Sequence, residues 1–340
     1  MKRIRCGAFT RKGEMSMPEL LEVRDLKKYF PVTGGFLKKT VGWVKAVDGV
    51  DLTIGAGETF GLVGESGCGK TTVGKLVLRL IEATSGDIRF QGRNIRDLDK
   101  KELRALRKEM QIIFQDPYGS LNPRMNIGDI VAEPLRWHRL VDESQVNSRV
   151  CKLLDMVGLN GKDMSKYPHE FSGGQRQRIV IARALAVQPK LIVCDEPVSA
   201  LDVSVQAQIL NLLKDLQEQL GMAYLFVAHG MPAVRFMSDR IGVMYLGKLV
   251  EVADGEALFE EQLHPYTKAL MSAIPVADPD RVSKRTVLSG DVPSPVHLPK
   301  GCRFQTRCCC VCDRCRIEEP PLRQVRPGRL VACHLVAETP

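Results

Sequence analysis

The stretch Gly64-Glu65-Ser66-Gly67-Cys68-Gly69-Lys70-Thr71-Thr72 fits the pattern G-x-x-x-x-G-K-[ST]. Its glycines let the backbone wrap closely round an anion, so that successive N–H groups and the start of the following helix point at the α- and β-phosphates of a nucleotide. Lys70 is placed to reach the β- and γ-phosphates as a point charge, and the Thr71 hydroxyl to complete a Mg²⁺ shell. The flanks have the order this chemistry requires. Thr59 to Val63 is a short apolar run that predicts a buried strand, and Val73, Leu76, Val77 and Leu80 recur at helical spacing through Ile81. Strand, loop and helix together predict an α/β fold with a site for ATP and Mg²⁺.

Composition narrows the class. With 340 residues, 44% of them hydrophobic, the chain can bury a substantial core, and one large α/β domain with an appendage is expected. No stretch approaches the roughly 18 consecutive apolar residues of a membrane span, and no apolar signal-peptide core follows the basic N-terminus; a soluble, cytoplasmic chain is expected. The net charge of +9 suggests nucleic acid, but its location argues against that. Residues 1–14 carry five basic and one acidic side chain and residues 300–340 carry eight and four, which leaves the body between them nearly neutral. A groove for a phosphate backbone needs its cations clustered on the folded body, so no nucleic-acid partner is expected. Residues 1–17 read as a disordered tail or a misannotated start, since Met15 and Met17 stand just before the first folded-looking segment.

Further along, Leu191-Ile192-Val193-Cys194-Asp195-Glu196 is an apolar strand ending in two carboxylates. In a Walker B pattern Asp195 holds Mg²⁺, largely through water, and Glu196 orients or deprotonates the attacking water. Phe171-Ser172-Gly173-Gly174-Gln175-Arg176-Gln177 precedes an apolar-periodic helix; Ser172 is a natural N-cap, and the glycines leave the helix N-terminus open to an anion.

Together with the two Walker elements, Ser172-Gly173-Gly174-Gln175 resembles the signature sequence of ATP-binding-cassette proteins, whose usual leucine is Phe171 here. The resemblance implies roles for further residues. Gln115 resembles the Q-loop glutamine that touches Mg²⁺ and the attacking water, Ser199-Ala200-Leu201-Asp202 the D-loop, and His229 the switch histidine on the γ-phosphate. Phe30, at the expected end of the first strand, is preferred to Tyr29 as the aromatic that stacks on adenine. One residue departs from the pattern: Gly230 stands where an acidic residue usually follows the switch histidine. The implied fold is a P-loop core with antiparallel β and helical subdomains, the cassette spanning 18–260 and its helical subdomain about 116–190.

Residues 261–340 form a C-terminal extension. Its His264-Pro265-Tyr266-Thr267-Lys268-Ala269-Leu270 resembles the H-P-Y-T-x-A-L element of ATP-binding subunits of oligopeptide/dipeptide permeases, and the likeness continues through Asp116-Pro117-Tyr118-Gly119-Ser120-Leu121-Asn122-Pro123 and Met244-Tyr245-Leu246-Gly247-Lys248. An insertion from Pro31 to Val44 resembles the second of the two ATPase subunits of such importers. The family implies a head-to-tail pair with a related cassette, two permease subunits, an extracytoplasmic solute-binding protein reached through the complex, and a peripheral place on the cytoplasmic face of the membrane. The transported solute stays open between peptides, nickel and another small solute, and a soluble cassette ATPase outside transport is the alternative.

Seven of the 11 cysteines follow residue 301. Such density in a cytosolic chain favours a metal over disulfides. The resembling family carries cysteines at Cys302, Cys308, Cys315 and Cys333, and these are the expected ligands; Cys309, Cys310 and Cys312 depart from its pattern. Four thiolates suit a [4Fe–4S] cluster or tetrahedral zinc; the long gaps between them favour iron–sulfur, with zinc or no metal at all as the alternatives.

Overall fold

The computed structural model describes residues 19–34, 39–274, 288 and 290–337. The N-terminal tail anticipated over 1–17 lies outside the described residues. The strands are β1 Leu21–Gly34, β2 Lys39–Ile54, β3 Thr59–Val63, β4 Ser85–Phe90, β5 Arg93–Asn94, β6 Met110–Ile113, β7 Leu191–Asp195, β8 Ala223–Val227, β9 Arg240–Tyr245, β10 Lys248–Asp254, β11 Arg323–Arg326 and β12 Arg329–Val331. The helices are α1 Lys70–Val77, α2 Lys100–Leu106, α3 Pro117–Ser120, α4 Ile127–Trp137, α5 Glu143–Met156, α6 Gly173–Leu185, α7 Val203–Leu220, α8 Met231–Met237, α9 Gly255–Glu260, α10 Pro265–Ser272 and α11 Asp313–Ile317.

Two sheets organise the molecule, a four-stranded one in the order β2-β1-β4-β5 and an eight-stranded one in the order β11-β12-β10-β9-β3-β8-β7-β6. In the larger sheet β9, β3, β8, β7 and β6 run parallel. β3, β7 and β8 are buried at every residue, which is why they read as unbroken apolar runs. From β9 the sheet turns antiparallel through β10, β12 and β11, so the last two strands come from the C-terminal extension.

Between β6 and β7 lies a helical layer, α3 to α6. Val146, Val150, Leu153 and Leu154 of α5 share one buried face with Ile130, Val131 and Leu135 of α4 and Ile179 and Val180 of α6, the stripe expected of an amphipathic helix packed on one side. This layer falls within the 116–190 range read from the sequence.

Two local expectations are corrected. The first strand runs on past Phe30 to Gly34, paired with β2 as a long hairpin arm that takes in much of the Pro31–Val44 insertion. Pro31 is tolerated because β4 pairs with β1 only as far as Lys27, so Pro31 has no ladder bond to donate on that side. The helix after the phosphate loop ends at Val77; Arg79 adopts a left-handed φ of 47°, and Leu80, expected on the buried face, is 44% exposed.

Candidate ATP site

Four chemical groups meet because each follows a parallel strand. The 64–72 loop leaves β3, Gln115 follows β6, Asp195 and Glu196 end β7, and His229 follows β8. In a parallel sheet the crevice at the carboxyl ends of the strands is where ligands bind, and one cleft there is lined by Ser66, Gly67, Gly69 to Thr72, Gln115, Glu196 and His229.

The loop has little steric freedom. A Cβ on Gly64 (φ 154°) would lie 2.1 Å from the Met244 carbonyl oxygen, and one on Gly69 (φ 112°) 2.1 Å from that of Ala46. These contacts seat the loop against β9 and β2. Buried Lys70 donates through Nζ to the carbonyl oxygens of Gly64 at 2.8 Å and Glu65 at 3.0 Å. The Thr71 hydroxyl donates to Asp195 Oδ1 at 2.8 Å. Hydroxyl, carboxylate and the nearby Gln115 amide are hard oxygen donors, which suits Mg²⁺; the residues present fit that ion.

Glu196 sits at φ 51° with its side chain buried, and its N–H donates to Val227 O at 2.9 Å. A left-handed conformation in a non-glycine residue stores strain of order 1–3 kcal/mol that surrounding bonds must hold. His229 Nε2 lies 2.6 Å from Glu196 Oε1 and its Nδ1 lies 3.4 Å from Lys70 Nζ. An ammonium can only donate, so Nδ1 accepts and Nε2–H donates to the carboxylate, which fixes one tautomer. Gly230 has open space about it and starts α8 without a side-chain cap.

Ser172 and Gln175 form a reciprocal capping box at α6, with Ser172 N–H donating to Gln175 Oε1 at 2.9 Å and Gln175 N–H to Ser172 Oγ at 3.3 Å. This segment, with Gly173 and Gly174, does not line the phosphate cleft. Nor does Phe30, which is 38% exposed beneath the Lys28 ammonium. Tyr29 turns the other way and donates its hydroxyl to Asp48, which also pairs with Arg303.

What sequence reasoning missed is the grip of the C-terminal extension on the core. Arg303 binds Asp48 and Glu319, and Arg329 pairs with the fully buried Glu251 at 2.8 Å. His264 caps α10 by accepting from Tyr266 N–H at 3.1 Å; complete burial pushes its pKa down to about 3, so it is neutral. The H-P-Y-T run carried a helix-start signal, N-cap then proline, but not these partners.

In the extension, burial pushes the Cys302 thiol up to about 11, with the nearby Cys315, Cys308 and Cys333 adding to the shift. Of the four expected ligands, Cys302 donates its backbone N–H to the Cys315 carbonyl oxygen at 2.8 Å, which sets those two side by side. Among the described residues no three His, Cys, Asp or Glu side chains reach the spacing of a bound metal ion. Cys309 and Cys310 lie 3.3 Å apart through sulfur, and Cys312 and Cys315 3.4 Å.

No helix among the described residues is long and apolar enough to cross a membrane. The profile of the family described as ABC transporter matches residues 47–199, and that of the oligopeptide/dipeptide transporter C-terminal region matches residues 250–315. The oligopeptide transport ATP-binding protein AppF of Bacillus subtilis is 50% identical over 319 residues, 93% of this chain and 97% of AppF. YkfD of the same organism, a putative oligopeptide transport ATP-binding protein, is 52% identical over 93% of this chain and 95% of its own length. Among solved structures, the cassette MJ0796, a dimer in a post-hydrolysis state bound to ADP and Pi, superposes with a TM-score of 0.61 at 29% identity over 69% of this chain and 98% of that one. The chain belongs to the ABC transporter family as an ATP-binding and ATP-hydrolysing cassette, in the branch whose cassette is followed by the oligopeptide/dipeptide transporter C-terminal region.

Proposed function

We propose that this chain powers the import of oligopeptides or dipeptides, binding and hydrolysing ATP at the cytoplasmic face of a membrane that its permease partners span. The carrying observation is that Lys70, Thr71, Gln115, Glu196 and His229 line one cleft, with Asp195 bound by the Thr71 hydroxyl, while the Ser172-Gly173-Gly174-Gln175 segment lies outside it. Such a division fits a site completed by the signature segment of a second cassette, packed head to tail. The names of the curated relatives support peptides as the cargo.

In this reading Lys70 exchanges its carbonyl partners for the β- and γ-phosphates, and the loop N–H groups cradle the rest. Mg²⁺, when bound, neutralises phosphate charge; Thr71, Asp195 and Gln115 are the residues that would hold it. Glu196 acts as general base or water-orienting group, and its 2.6 Å contact with His229 Nε2 keeps the carboxylate aimed into the cleft. His229 is then placed to report on the γ-phosphate. Phe30 stacks on the adenine, since Tyr29 is engaged by Asp48. Closure of the pair, relayed through the 116–190 layer to two permease subunits, switches access for solute delivered by the extracytoplasmic binding protein. We further propose that Cys302, Cys308, Cys315 and Cys333 hold a [4Fe–4S] cluster, or alternatively zinc, with a structural or regulatory role; the support is the number of cysteines in the extension and the backbone bond from Cys302 to Cys315.

The test is transport of labelled peptide by the complex reconstituted with its permease subunits. Glu196→Gln should lower ATP turnover by about 10²–10⁴-fold and stop peptide uptake while ATP still binds. Uptake at the wild-type rate would refute the assigned role, and stimulation by nickel but not by peptide would refute the cargo. Iron analysis of anaerobically prepared protein tests the cluster.

A further inference from the structure

We propose that Arg307 and Tyr266, both in the C-terminal extension, are positioning residues of the ATP site that hold the phosphate loop through Glu65. The inference rests on the reading of that loop as the triphosphate cradle. Glu65 is its second residue, and three of its groups are engaged. Arg307 grips the carboxylate as a fork, Nη1 to Oε2 at 2.8 Å and Nη2 to Oε1 at 3.1 Å. The backbone N–H donates to the Tyr266 hydroxyl at 2.9 Å. Its carbonyl accepts from Lys70, the lysine that serves the nucleotide, at 3.0 Å.

The two extension residues are themselves fixed. Tyr266 is fully buried, its ring centroid 4.7 Å from that of Tyr245 and 5.4 Å from that of Phe304. Arg307 is 9% exposed and stands next to Cys308. A bidentate guanidinium–carboxylate pair adds directional hold to its charge. The pair has a second electrostatic consequence. A carboxylate in the loop repels an incoming triphosphate, and the guanidinium cancels that charge where it matters. Arg307 therefore contributes to nucleotide affinity in two ways: it shapes the loop, and it neutralises Glu65.

The test measures binding of a fluorescent ATP analogue with Mg²⁺ to the full-length chain. Arg307→Ala should weaken binding about tenfold, the effect of losing a charge-assisted pair, and Arg307→Lys should recover part of it. Removing the stranded charge should rescue: Arg307→Ala combined with Glu65→Gln should bind within about twofold of Glu65→Gln alone. A merely structural arginine would give no such rescue. An unchanged Kd in Arg307→Ala, or a double variant as weak as Arg307→Ala, overturns the proposal. If Arg307→Ala fails to fold, Arg307→Lys decides, and binding equal to wild type overturns the proposal. Lys70→Ala separates the two readings, because undiminished binding in that variant would overturn the phosphate loop itself whatever the tail does.

Discussion

Replacing Glu251 with glutamine should cost this protein a large part of its stability while leaving the volume of the core unchanged. Glu251 lies on β10 with no exposed surface, and its carboxylate accepts from Leu263 N–H at 2.9 Å, His264 N–H at 2.9 Å and the Arg329 guanidinium at 2.8 Å. It thus ties three parts of the extension to one strand of the core: the entry to α10, the capping histidine and β12. The substituted amide would keep one acceptor oxygen but present an N–H₂ to groups that are themselves donors. Arg329, 6% exposed, would keep its charge without the one counter-ion it has among the described residues. Breaking a buried pair from one side costs about 3–5 kcal/mol, and at about 2–4 °C per kcal/mol for chains of roughly this size that is a fall of about 10 °C in melting temperature. Differential scanning calorimetry of wild type and Glu251→Gln at pH 7 measures it. A shift below about 2 °C would refute the reasoning, because the carboxylate would then be contributing no more than a surface ion pair does.

Gly230→Asp restores the acidic residue usual after the switch histidine, and the open space about Gly230 accommodates it. Steady-state ATP turnover should change by less than about tenfold, since the γ-phosphate contact belongs to His229; a hundredfold change in either direction would show that position 230 carries chemistry of its own. Neutral, buried His264 gives a pH prediction with a definite sign. Its folded pKa of about 3 lies below the ordinary 6.5, so the unfolded chain takes the proton first. The stability it contributes is complete above pH 6.5 and is lost as pH falls towards 3, by about 1.4 kcal/mol per unit, or roughly 2 kcal/mol at pH 5. Urea unfolding at pH 7 and pH 5 should show that loss in wild type and a smaller one in His264→Gln; equal losses would remove the histidine from the account.

Much of the ATP site was legible in the sequence because each contributor is local to a strand end. An apolar run, a turn and one or two polar residues announce Thr59 to Thr72, Leu191 to Glu196 and Leu225 to His229, and parallel pairing of β3, β7 and β8 does the rest. Contacts that join distant stretches left no such mark. Arg307 and Glu65 are 242 residues apart, and an arginine among cysteines reads as a solvated charge until the topology brings it to the loop. Likewise Arg323-Gln324-Val325-Arg326 has no strand-like alternation of apolar residues; it pairs because β12 offers an edge, not because its side chains favour extension. Leu80 failed for the opposite reason, since helical spacing continued in the sequence after the backbone had turned at Arg79.

The two short strands at the end of the chain also change what the large sheet shows to its surroundings. Without them its border would be β10, Lys248–Asp254, whose inner five residues are all buried and mostly aliphatic. Such a border, with unpaired N–H and C=O groups alongside valine and leucine, is a template for joining another sheet. With them, the border is Arg323–Arg326, short and bearing a positive charge at each end. The extension therefore guards against self-association as well as bracing the core, and a chain cut after β10 should precipitate as ordered aggregates rather than simply unfold at a lower temperature.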